Sequence, residues 1–294
     1  MRIGVDLGGT KIEAILLDPH GRALARERVA TPRGDYPATL DAIRALVAGI
    51  EARHAVRATV GVGIPGAISR ATGRVKNGNS TWLNGRGFVA DLEAALAREV
   101  RVENDANCFA ISEAVDGAGS GFESVFGVIL GTGVGGGMVL RRRVIVGANA
   151  IAGEWGHNPL PAPRDGERPG PACWCGRSGC VETWLNGAAL ARDAGREDAD
   201  AAAVLAGARA GEPGCADAIA RYAERLARAL ATVINLFDPD AIVLGGGLSH
   251  IDALYDEVPR LWVPHVFSDA IATRLVRNRH GDSSGVRGAA WLWD

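Results

Sequence analysis

The sequence has few of the features that tie a protein to a membrane or to nucleic acid. No apolar run in its 294 residues approaches the roughly 18 residues that a membrane-spanning helix needs. Lys and Arg number 32 against 34 Asp and Glu, which gives a formal net charge of −2, and no block of like charges stands out. We therefore expect neither a nucleic-acid partner nor a membrane partner. The apolar start is also too short for a secretory signal, which indicates a cytoplasmic protein.

Cysteine is scarce as well, but its distribution is uneven. Three of the five cysteines fall within eight positions, and a histidine precedes them. One imidazole and three thiolates are the ligand set that zinc prefers in a closed structural site. The predicted zinc ligands are His157, Cys173, Cys175 and Cys180.

Two other interpretations of these cysteines remain open. In the first, the three cysteines are unrelated buried thiols, since free cysteine packs like a small hydrophobe. In the second, two of them form a disulfide. Cys173 and Cys175 are too close in sequence to form an easy bridge, and a disulfide does not suit a chain without a secretory leader. Cys108 and Cys215 stand apart from the cluster, and we expect both to be packing residues.

Short apolar strands alternate with amphipathic helices along the chain, a pattern typical of an α/β protein. The predicted strands are Ile3–Leu7, Ile12–Leu17, Val60–Ile64, Val100–Val102, Val125–Leu130, Met138–Leu140 and Ala241–Leu244. The predicted helices are Asp41–His54, Val89–Val100, one opening at Asn104, Ala188–Ala210, Ala216–Phe237 and Ser283–Trp293. Strand, glycine-threonine turn and strand occur twice, which indicates two related halves. Pro159–Pro171 has the composition of an exposed loop.

Three glycine-rich turns directly follow apolar strands. They are Gly8-Gly9-Thr10-Lys11, Gly131-Thr132-Gly133 and Gly245-Gly246-Gly247. Glycine leaves backbone N–H groups open to an anion, so together the turns indicate a phosphate site. Neither a P-loop nor a dinucleotide fingerprint occurs in its proper setting. We expect Asp6 and Lys11 near the phosphates and a metal, although Lys11 is equally compatible with a solvated hairpin lysine.

Motifs from both halves of the chain resemble those of the ROK family of sugar kinases, in the family's order. These are Asp6 to Lys11, Asn104-Asp105-Ala106-Asn107, Gly153-Glu154-Trp155-Gly156-His157, Cys173 to Glu182, and Asp238-Pro239-Asp240 through Gly247. The resemblance implies the actin-like ATPase (ribonuclease H-like) fold, with two α/β domains and a cleft between them. It also implies ATP and Mg²⁺ as cofactors, a free hexose as substrate, and a homodimer.

Domain boundaries and subfamily follow from the same resemblance. We expect a smaller domain over residues 1–118, on which a helix at about 283–294 packs back, and a larger domain over 119–282 that carries the zinc loop. Within the family, segments 75–85, 155–161 and 280–293 look most like bacterial fructokinases of broad hexose range. The expected reaction is transfer of phosphate from ATP to the 6-hydroxyl of fructose. Glucose, mannose and N-acetylglucosamine are alternative acceptors.

The catalytic residue that the resemblance implies is Asp105. From the residues alone, Asp105 is equally suited to capping a helix and to acting as a general base. The family's sugar contacts map onto Asn104, Glu154, His157 and Glu182, with Asp105 itself, Gly66 and Asn79 as further candidates. Two other functions are possible in principle. A sugar-responsive regulator would carry a DNA-binding region before Asp6, and a non-catalytic nucleotide-binding protein would not need Asp105.

Overall fold

The structure is a computed structural model that describes residues 1–196 and 200–293, and these form two compact units. Unit 1 comprises Met1–Ser120, Gly137–Ala152 and Arg279–Asp294. Unit 2 comprises Gly121–Gly136 and Gly153–Asn278. The predicted domain boundary at residue 118 stays a prediction. The two compact units divide the chain differently, because residues 137–152 group with unit 1.

Strands and helices alternate through most of the described residues. The strands are β1 (Arg2–Leu7), β2 (Lys11–Leu17), β3 (Ala23–Ala30), β4 (Thr59–Ile64), β5 (Ala67–Ile68), β6 (Val75–Lys76), β7 (Val100–Asn104), β8 (Ser124–Leu130), β9 (Val134–Leu140), β10 (Arg143–Val144), β11 (Ala241–Gly245) and β12 (Arg274–Arg277). The helices are α1 (Tyr36–His54), α2 (Phe88–Leu96), α3 (Asp105–Val115), α4 (Glu182–Leu185), α5 (Gly187–Asp193), α6 (Ala201–Arg209), α7 (Pro213–Phe237), α8 (Ala253–Leu261) and α9 (Ser284–Trp291).

A five-stranded sheet in the order β3-β2-β1-β4-β7 forms the centre of unit 1. Strand β1 pairs antiparallel with β2 and parallel with β4, and β4 pairs parallel with β7. The residues of β1 and β4, in the middle of the sheet, are mostly apolar and buried, as expected for strands that are covered on both faces. Parallel pairing of β1, β4 and β7 brings the carboxyl ends of these strands, after Leu7, Ile64 and Asn104, to one edge of the sheet.

Helix α9 belongs to unit 1 and packs closely on its sheet and on α3. A Cβ atom added to Gly4 would lie 2.0 Å from the carbonyl oxygen of Val286, and one added to Gly61 would lie 1.8 Å from that of Ala289. On the other side, a Cβ on Gly288 would lie 1.6 Å from the carbonyl oxygen of Cys108 in α3. Glycine at these positions therefore allows two helices and a sheet to approach with their backbones nearly in contact.

The second sheet has the order β10-β9-β8-β11-β12, and the border between the two units passes through β9. In unit 2, β11 lies between β8 and β12 and is parallel to both. The long helix α7 carries a buried face that includes Tyr222, Leu226 and Leu230. Parallel pairing places the end of β11 beside the end of β8, so the two glycine turns that follow these strands are neighbours.

The helix boundaries differ from the predicted ones for local reasons. Helix α1 begins at Tyr36 rather than Asp41, because the Asp35 side chain accepts a hydrogen bond from Ala38 N at 3.0 Å and Pro37 suits the first turn. Helix α2 ends at Leu96 because Ala97 adopts a left-handed conformation with φ of 51°. The segment predicted as one helix, Ala188–Ala210, contains the two helices α5 and α6, and residues 197–199 within it lie outside the described residues.

Two other segments also differ from expectation. Strand β9 begins at Val134, so Gly135–Gly137 are strand residues and not part of a turn. A Cβ atom on Gly136 would lie 2.7 Å from the ring of Trp155, which explains the need for glycine there. The predicted exposed loop Pro159–Pro171 is anchored by a buried residue, Glu167, whose carboxylate pairs with Arg225 and Arg228 of α7 at 2.8 and 2.9 Å.

Among the described residues, none of the helices has both the length and the apolar character needed to cross a bilayer.

Candidate functional site

The first glycine turn connects β1 to β2 in unit 1. Gly8 N donates to the carbonyl oxygen of Lys11 at 3.0 Å, and the Gly8 carbonyl accepts a hydrogen bond from Thr31 Oγ1 at 2.8 Å. A Cβ atom on Gly9 would meet only Ser80 Oγ, 3.9 Å away. Gly9, Thr10 and Lys11 are exposed. The turn is thus fixed at its base by hydrogen bonds and open at its tip.

Asp6 stands just before this turn, in an environment that favours the neutral acid. Desolvation, followed by the negative charges of Asp105 and Glu13, raises the pKa of Asp6 to about 7, against an opposing contribution from Lys11. A Cβ atom on Gly285, in α9, would lie 3.7 Å from the Asp6 carboxylate. A carboxyl group held this way gains from a nearby cation, because a cation would stabilise its charged form.

Lys11 begins β2 directly after this turn, and its amine faces a buried acid. Lys11 Nζ lies 3.9 Å from Glu13 Oε2, and its side chain is 46% exposed. Glu13 is buried and also pairs with Arg26 and with Arg28 at 2.5 Å. Lys11 is therefore a partly solvated hairpin lysine with one distant ion pair, and its contact with a phosphate stays a prediction.

Asn104 and Asp105 lie where β7 passes directly into α3. Asn104 is the N-cap: its Oδ1 accepts from Ala106 N at 2.9 Å and from Asn107 N at 3.3 Å. Its Nδ2 donates to the Gly66 carbonyl at 2.9 Å. Asp105 is the first residue of the helix, and its Oδ1 accepts from Ala106 N at 2.8 Å. The helix is therefore capped chiefly by Asn104, so Asp105 is not required for that purpose.

Gly66 and Asn79 belong to loops of unit 1 that meet near this helix start. Gly66 has φ of +87°, and a Cβ atom there would lie 2.5 Å from the Lys76 carbonyl, so only glycine fits. Asn79 is exposed in the loop after β6. That loop is closed by Asn84, whose side-chain amide both accepts from Gly78 N and donates to the Gly78 carbonyl at 2.9 Å.

In unit 2 the remaining glycine turns are neighbours. Gly131 N donates to the Gly133 carbonyl at 3.0 Å, and the Gly131 carbonyl accepts from Gly187 N, at the start of α5, at 2.8 Å. Gly246 has φ of +79°, and a Cβ atom there would lie 2.4 Å from the Leu130 carbonyl. Cβ atoms on Gly131 and Gly247 would meet nothing within 4 Å. Both turns thus present open backbone at the carboxyl end of the sheet.

Glu182 links this region to the cysteine cluster. It is the first residue of α4, and its Oε2 accepts from Val134 N, immediately after the Gly131–Gly133 turn, at 3.0 Å. Its Oε1 accepts from Trp174 Nε1 at 2.7 Å. Both carboxylate oxygens of Glu182 are therefore hydrogen-bonded, and the residue is half-buried.

Glu154 directly precedes a single 3₁₀ turn, Trp155–His157, and His157 is its last residue. Trp155 is buried and its Nε1 donates to the Gly135 carbonyl at 3.0 Å, which fixes the turn against β9. Glu154 is exposed, and its carbonyl accepts from His157 N at 3.3 Å. The half-buried imidazole of His157 directs Nδ1 toward the cysteines, 3.6 Å from Cys173 Sγ.

The four predicted metal ligands converge. One ligand atom from each residue lies within 4.8 Å of all the others. Cys175 Sγ and Cys180 Sγ are 3.7 Å apart, and all the cysteines are free thiols. With Zn–S bonds of about 2.3 Å, the sulfur atoms of a tetrahedral site are about 3.8 Å apart. The donor set and its spacing therefore suit a zinc ion.

The electrostatics of the cluster favour one thiolate. The Arg177 guanidinium and backbone lower the pKa of the Cys175 thiol to about 6, whereas burial raises the pKa of Cys180 to about 12. Thiolate is the form that binds metal. Cys108 and Cys215 are buried far from these residues in sequence, as expected of packing residues.

Three residues of the site were missing from the sequence-based expectations. Glu103 Oε1 accepts from Asn107 Nδ2 at 3.0 Å and so ties the end of β7 to the first turn of α3. Asn84 closes the Asn79 loop, and Trp174 binds Glu182. Two of these residues could have been found from the sequence. Glu103 directly precedes the Asn104-Asp105 pair, and Asn84 begins a second Asn-Gly pair at the end of the loop. Nothing in the sequence indicated that the indole between two cysteines would reach Glu182.

The family profile and the similar proteins that the sequence matches all indicate one family. The sequence profile described as "ROK family" matches residues 2–294. An N-acetyl-D-glucosamine kinase of Vibrio cholerae serotype O1 is 42% identical over 299 residues, covering 99% of each chain. An N-acetyl-D-glucosamine kinase of Salmonella paratyphi A is 39% identical, again over 99% of each chain.

Solved structures show the same relationship. The ROK hexokinase of Thermus thermophilus superposes with a TM-score of 0.87 at 33% identity, covering 99% of this chain and 97% of that one. A ROK family glucokinase from Streptomyces griseus, in complex with glucose and AMPPNP, gives 0.79 at 30% identity, with 99% and 98% covered. The two-sheet α/β architecture is the actin-like ATPase fold of these sugar kinases, and the predicted fold class is confirmed.

The profile runs nearly the full length of the sequence, and relatives well above 30% identity match over the same span. The chain therefore belongs to the ROK family.

Proposed function

We propose that the protein is an ATP-dependent kinase that phosphorylates N-acetyl-D-glucosamine. The observation that carries the proposal is the 42% identity, over 99% of both chains, to a protein named for that activity. Other relatives with the same name are 38–39% identical. The open glycine turns, the position of Asp105 and the His/Cys cluster described above support it.

The glycine turns are suited to hold the phosphates of ATP. Cβ atoms at Gly131 and Gly247 would occupy open space, so a phosphate can approach the backbone there. The proposed nucleotide contacts are Gly8, Gly9, Thr10, Lys11, Gly131, Thr132, Gly133, Gly245, Gly246 and Gly247. Asp6 fits Mg²⁺, because its carboxyl oxygens suit a hard cation and a cation would offset the repulsion from Asp105. The metal would supply charge neutralisation during phosphoryl transfer.

Asp105 is the proposed general base. Its place at the first residue of α3 is fixed by the cap that Asn104 provides, so its carboxylate is held by a rigid element. It would accept the proton of the sugar hydroxyl as that oxygen attacks phosphorus. Asn104 already uses its amide on α3 and on Gly66, and we propose that it supports Asp105 in addition to contacting the sugar.

The other proposed sugar contacts are carboxylate, amide and imidazole groups, which pair with hydroxyl groups as acceptors and donors. They are Glu154, His157 and Glu182, with Gly66 and Asn79 as further candidates. We propose that zinc is held by His157, Cys173, Cys175 and Cys180, since the donor set and its spacing suit it. The ion would keep the loop rigid and orient His157, and it would take no part in the transfer.

Fructose is the second candidate acceptor, because segments 75–85, 155–161 and 280–293 favour a fructokinase. The named relatives favour N-acetylglucosamine over this prediction. One experiment ranks the two: ADP release is measured with ATP, Mg²⁺ and a panel of N-acetylglucosamine, fructose, glucose and mannose. We expect the highest kcat/KM with N-acetylglucosamine. A higher value with fructose would favour the fructokinase prediction, and no ADP release with any sugar would contradict a kinase function.

Oligomeric state completes the proposal. The homodimer that the family resemblance implies stays a prediction, and light scattering of the purified protein at several concentrations tests it.

A further inference from the structure

The cysteine cluster carries an exposed tryptophan whose indole nitrogen is nevertheless engaged. Trp174 is 67% exposed, far more than is usual for so large an apolar side chain. Its Nε1 donates to Glu182 Oε1 at 2.7 Å, a short bond to a charged acceptor. The polar N–H edge of the Trp174 indole is therefore hydrogen-bonded to Glu182, whereas much of its apolar ring is exposed to solvent.

The same carboxylate is held from a second direction. Glu182 Oε2 accepts from Val134 N at 3.0 Å, and a Cβ atom on Gly133 would lie 2.8 Å from that oxygen. Each oxygen therefore has one fixed donor, one from the backbone beyond a glycine turn and one from Trp174. A carboxylate oxygen accepts more than one hydrogen bond, so both retain capacity for a hydroxyl group.

Trp174 is itself fixed by its neighbours. Its ring meets the His157 ring edge to face, with centroids 4.9 Å apart and planes at 84°. It stands between Cys173 and Cys175, and the turn there is closed by a 2.7 Å hydrogen bond from Cys173 N to the Arg177 carbonyl. The indole thus contacts one residue of the cluster and one acid outside it.

We propose that Trp174 is a positioning residue that fixes the Glu182 carboxylate for binding the sugar. The inference rests on the proposed function, in which Glu182 accepts hydrogen bonds from sugar hydroxyls. With Trp174 in place, the Glu182 carboxylate cannot rotate without losing a charge-assisted hydrogen bond. Without the indole N–H, one oxygen loses its fixed donor and the carboxylate is held at a single atom.

The consequence is expected in substrate binding rather than in the transfer step. Glu182 contacts the sugar both before and during transfer, so loosening it weakens binding in both states and raises KM with little change in kcat. A hydrogen bond to a charged group contributes enough to change an equilibrium constant about tenfold or more. The KM for the sugar should therefore rise about tenfold, with the KM for ATP unchanged.

Two substitutions separate the N–H group from the ring. Trp174→Phe keeps an aromatic ring and removes the donor, and we expect the tenfold rise in the sugar KM. Trp174→His restores a donor, because imidazole Nε2 occupies the same place in its five-membered ring as indole Nε1, and we expect most of the affinity to return. Phe267→Leu, at a fully exposed aromatic residue of the same unit, is the matched control and should leave KM unchanged.

A measurement on the unaltered protein covers the case in which a variant loses zinc or fails to fold. The chain has seven tryptophans, so the indole signals can be resolved by NMR. The Trp174 indole signal, assigned by triple-resonance spectra of the wild type, should exchange with solvent more slowly than that of a free indole. Fast exchange in the wild type, or an unchanged sugar KM in a zinc-loaded Trp174→Phe, would overturn the inference. Absence of kinase activity in the wild type would instead contradict the proposed function.

Discussion

Within unit 1, desolvation of Asp6, together with the negative charge of Asp105, raises the pKa of Asp6 to about 7. These two residues lie at the ends of strands that parallel pairing brings to one edge of the sheet. Near neutral pH, Asp6 therefore holds its proton part of the time when no cation is present.

The stability of unit 1 should therefore depend on pH through Asp6. Its pKa is about 7 in the folded state against 3.8 for an unperturbed aspartate, so between these values the native state binds more protons. The contribution of Asp6 to stability is then lost as pH rises toward and through 7, by about 2 kcal/mol between pH 5.5 and 8. Asp6→Asn lacks this loss. Urea unfolding at both pH values without added Mg²⁺ measures it, and equal pH dependence of the two proteins would contradict the assignment.

Replacing the proposed base should abolish turnover without disturbing the fold. Asp105→Asn keeps the size of the side chain, and Asn104 still caps α3. We expect kcat to fall by at least about 10²-fold, the lower range of general-base catalysis, with an unchanged melting temperature. Steady-state kinetics with ATP and the preferred sugar check this. Asp41→Asn, on the exposed surface of α1, is the control and should be fully active. A rate for Asp105→Asn within tenfold of wild type would remove Asp105 as the base.

Loss of one cysteine ligand should lower zinc content and stability together. In Cys175→Ser a weak donor replaces a thiolate, and a structural zinc site contributes its binding energy to folding. We expect less than one zinc per chain by elemental analysis and a lower melting temperature. Cys215→Ser, at a buried thiol outside the cluster, should keep its zinc. A Cys175→Ser protein without zinc that kept full stability and activity would show that the metal has no structural role.

The contact between α9 and α3 should tolerate no added methyl group. A Cβ atom on Gly288 would lie 1.6 Å from the Cys108 carbonyl, so Gly288→Ala must push two backbones apart. We expect destabilisation of about 3 kcal/mol, the upper range for overpacking, together with reduced kcat, since α3 begins at Asp105. Gly214→Ala, in α7, places its Cβ 3.9 Å from the nearest backbone atom outside its own helix and is the matched control. Chemical denaturation distinguishes them, and equal stability of the two variants would refute the packing argument.

Much of the fold was predictable because local signals and global structure agree. Apolar strands followed by glycine turns indicated β1, β8 and β11, since buried parallel strands need apolar side chains on both faces. The zinc-type cluster was predictable because ligand chemistry is selective, so one histidine and three cysteines within a short span indicate a metal site by residue type and spacing alone.

The remaining features depend on contacts between residues distant in sequence. Gly135–Gly137 have the composition of a turn, whereas they extend β9 because Trp155 lies against Gly136. The role of Asn104 as the N-cap, and the hydrogen bond from Trp174 to Glu182, depend on side-chain directions that periodicity does not encode. Pro159–Pro171 has the composition of an exposed loop, yet Glu167 within it is buried by two arginines of α7.

The position of α9 on β1 and α3 has a consequence for synthesis on the ribosome. Strand β1 and helix α3 precede unit 2 in the chain, and α9, which covers them, follows it, so the sheet is made well before its covering helix. While unit 2 is emerging, the nascent first sheet has Gly4 and Gly61 without the helix that packs on them, so apolar surface stays accessible to chaperones and to other chains. Unit 1 can therefore complete its core only after the residues of unit 2 have been synthesised.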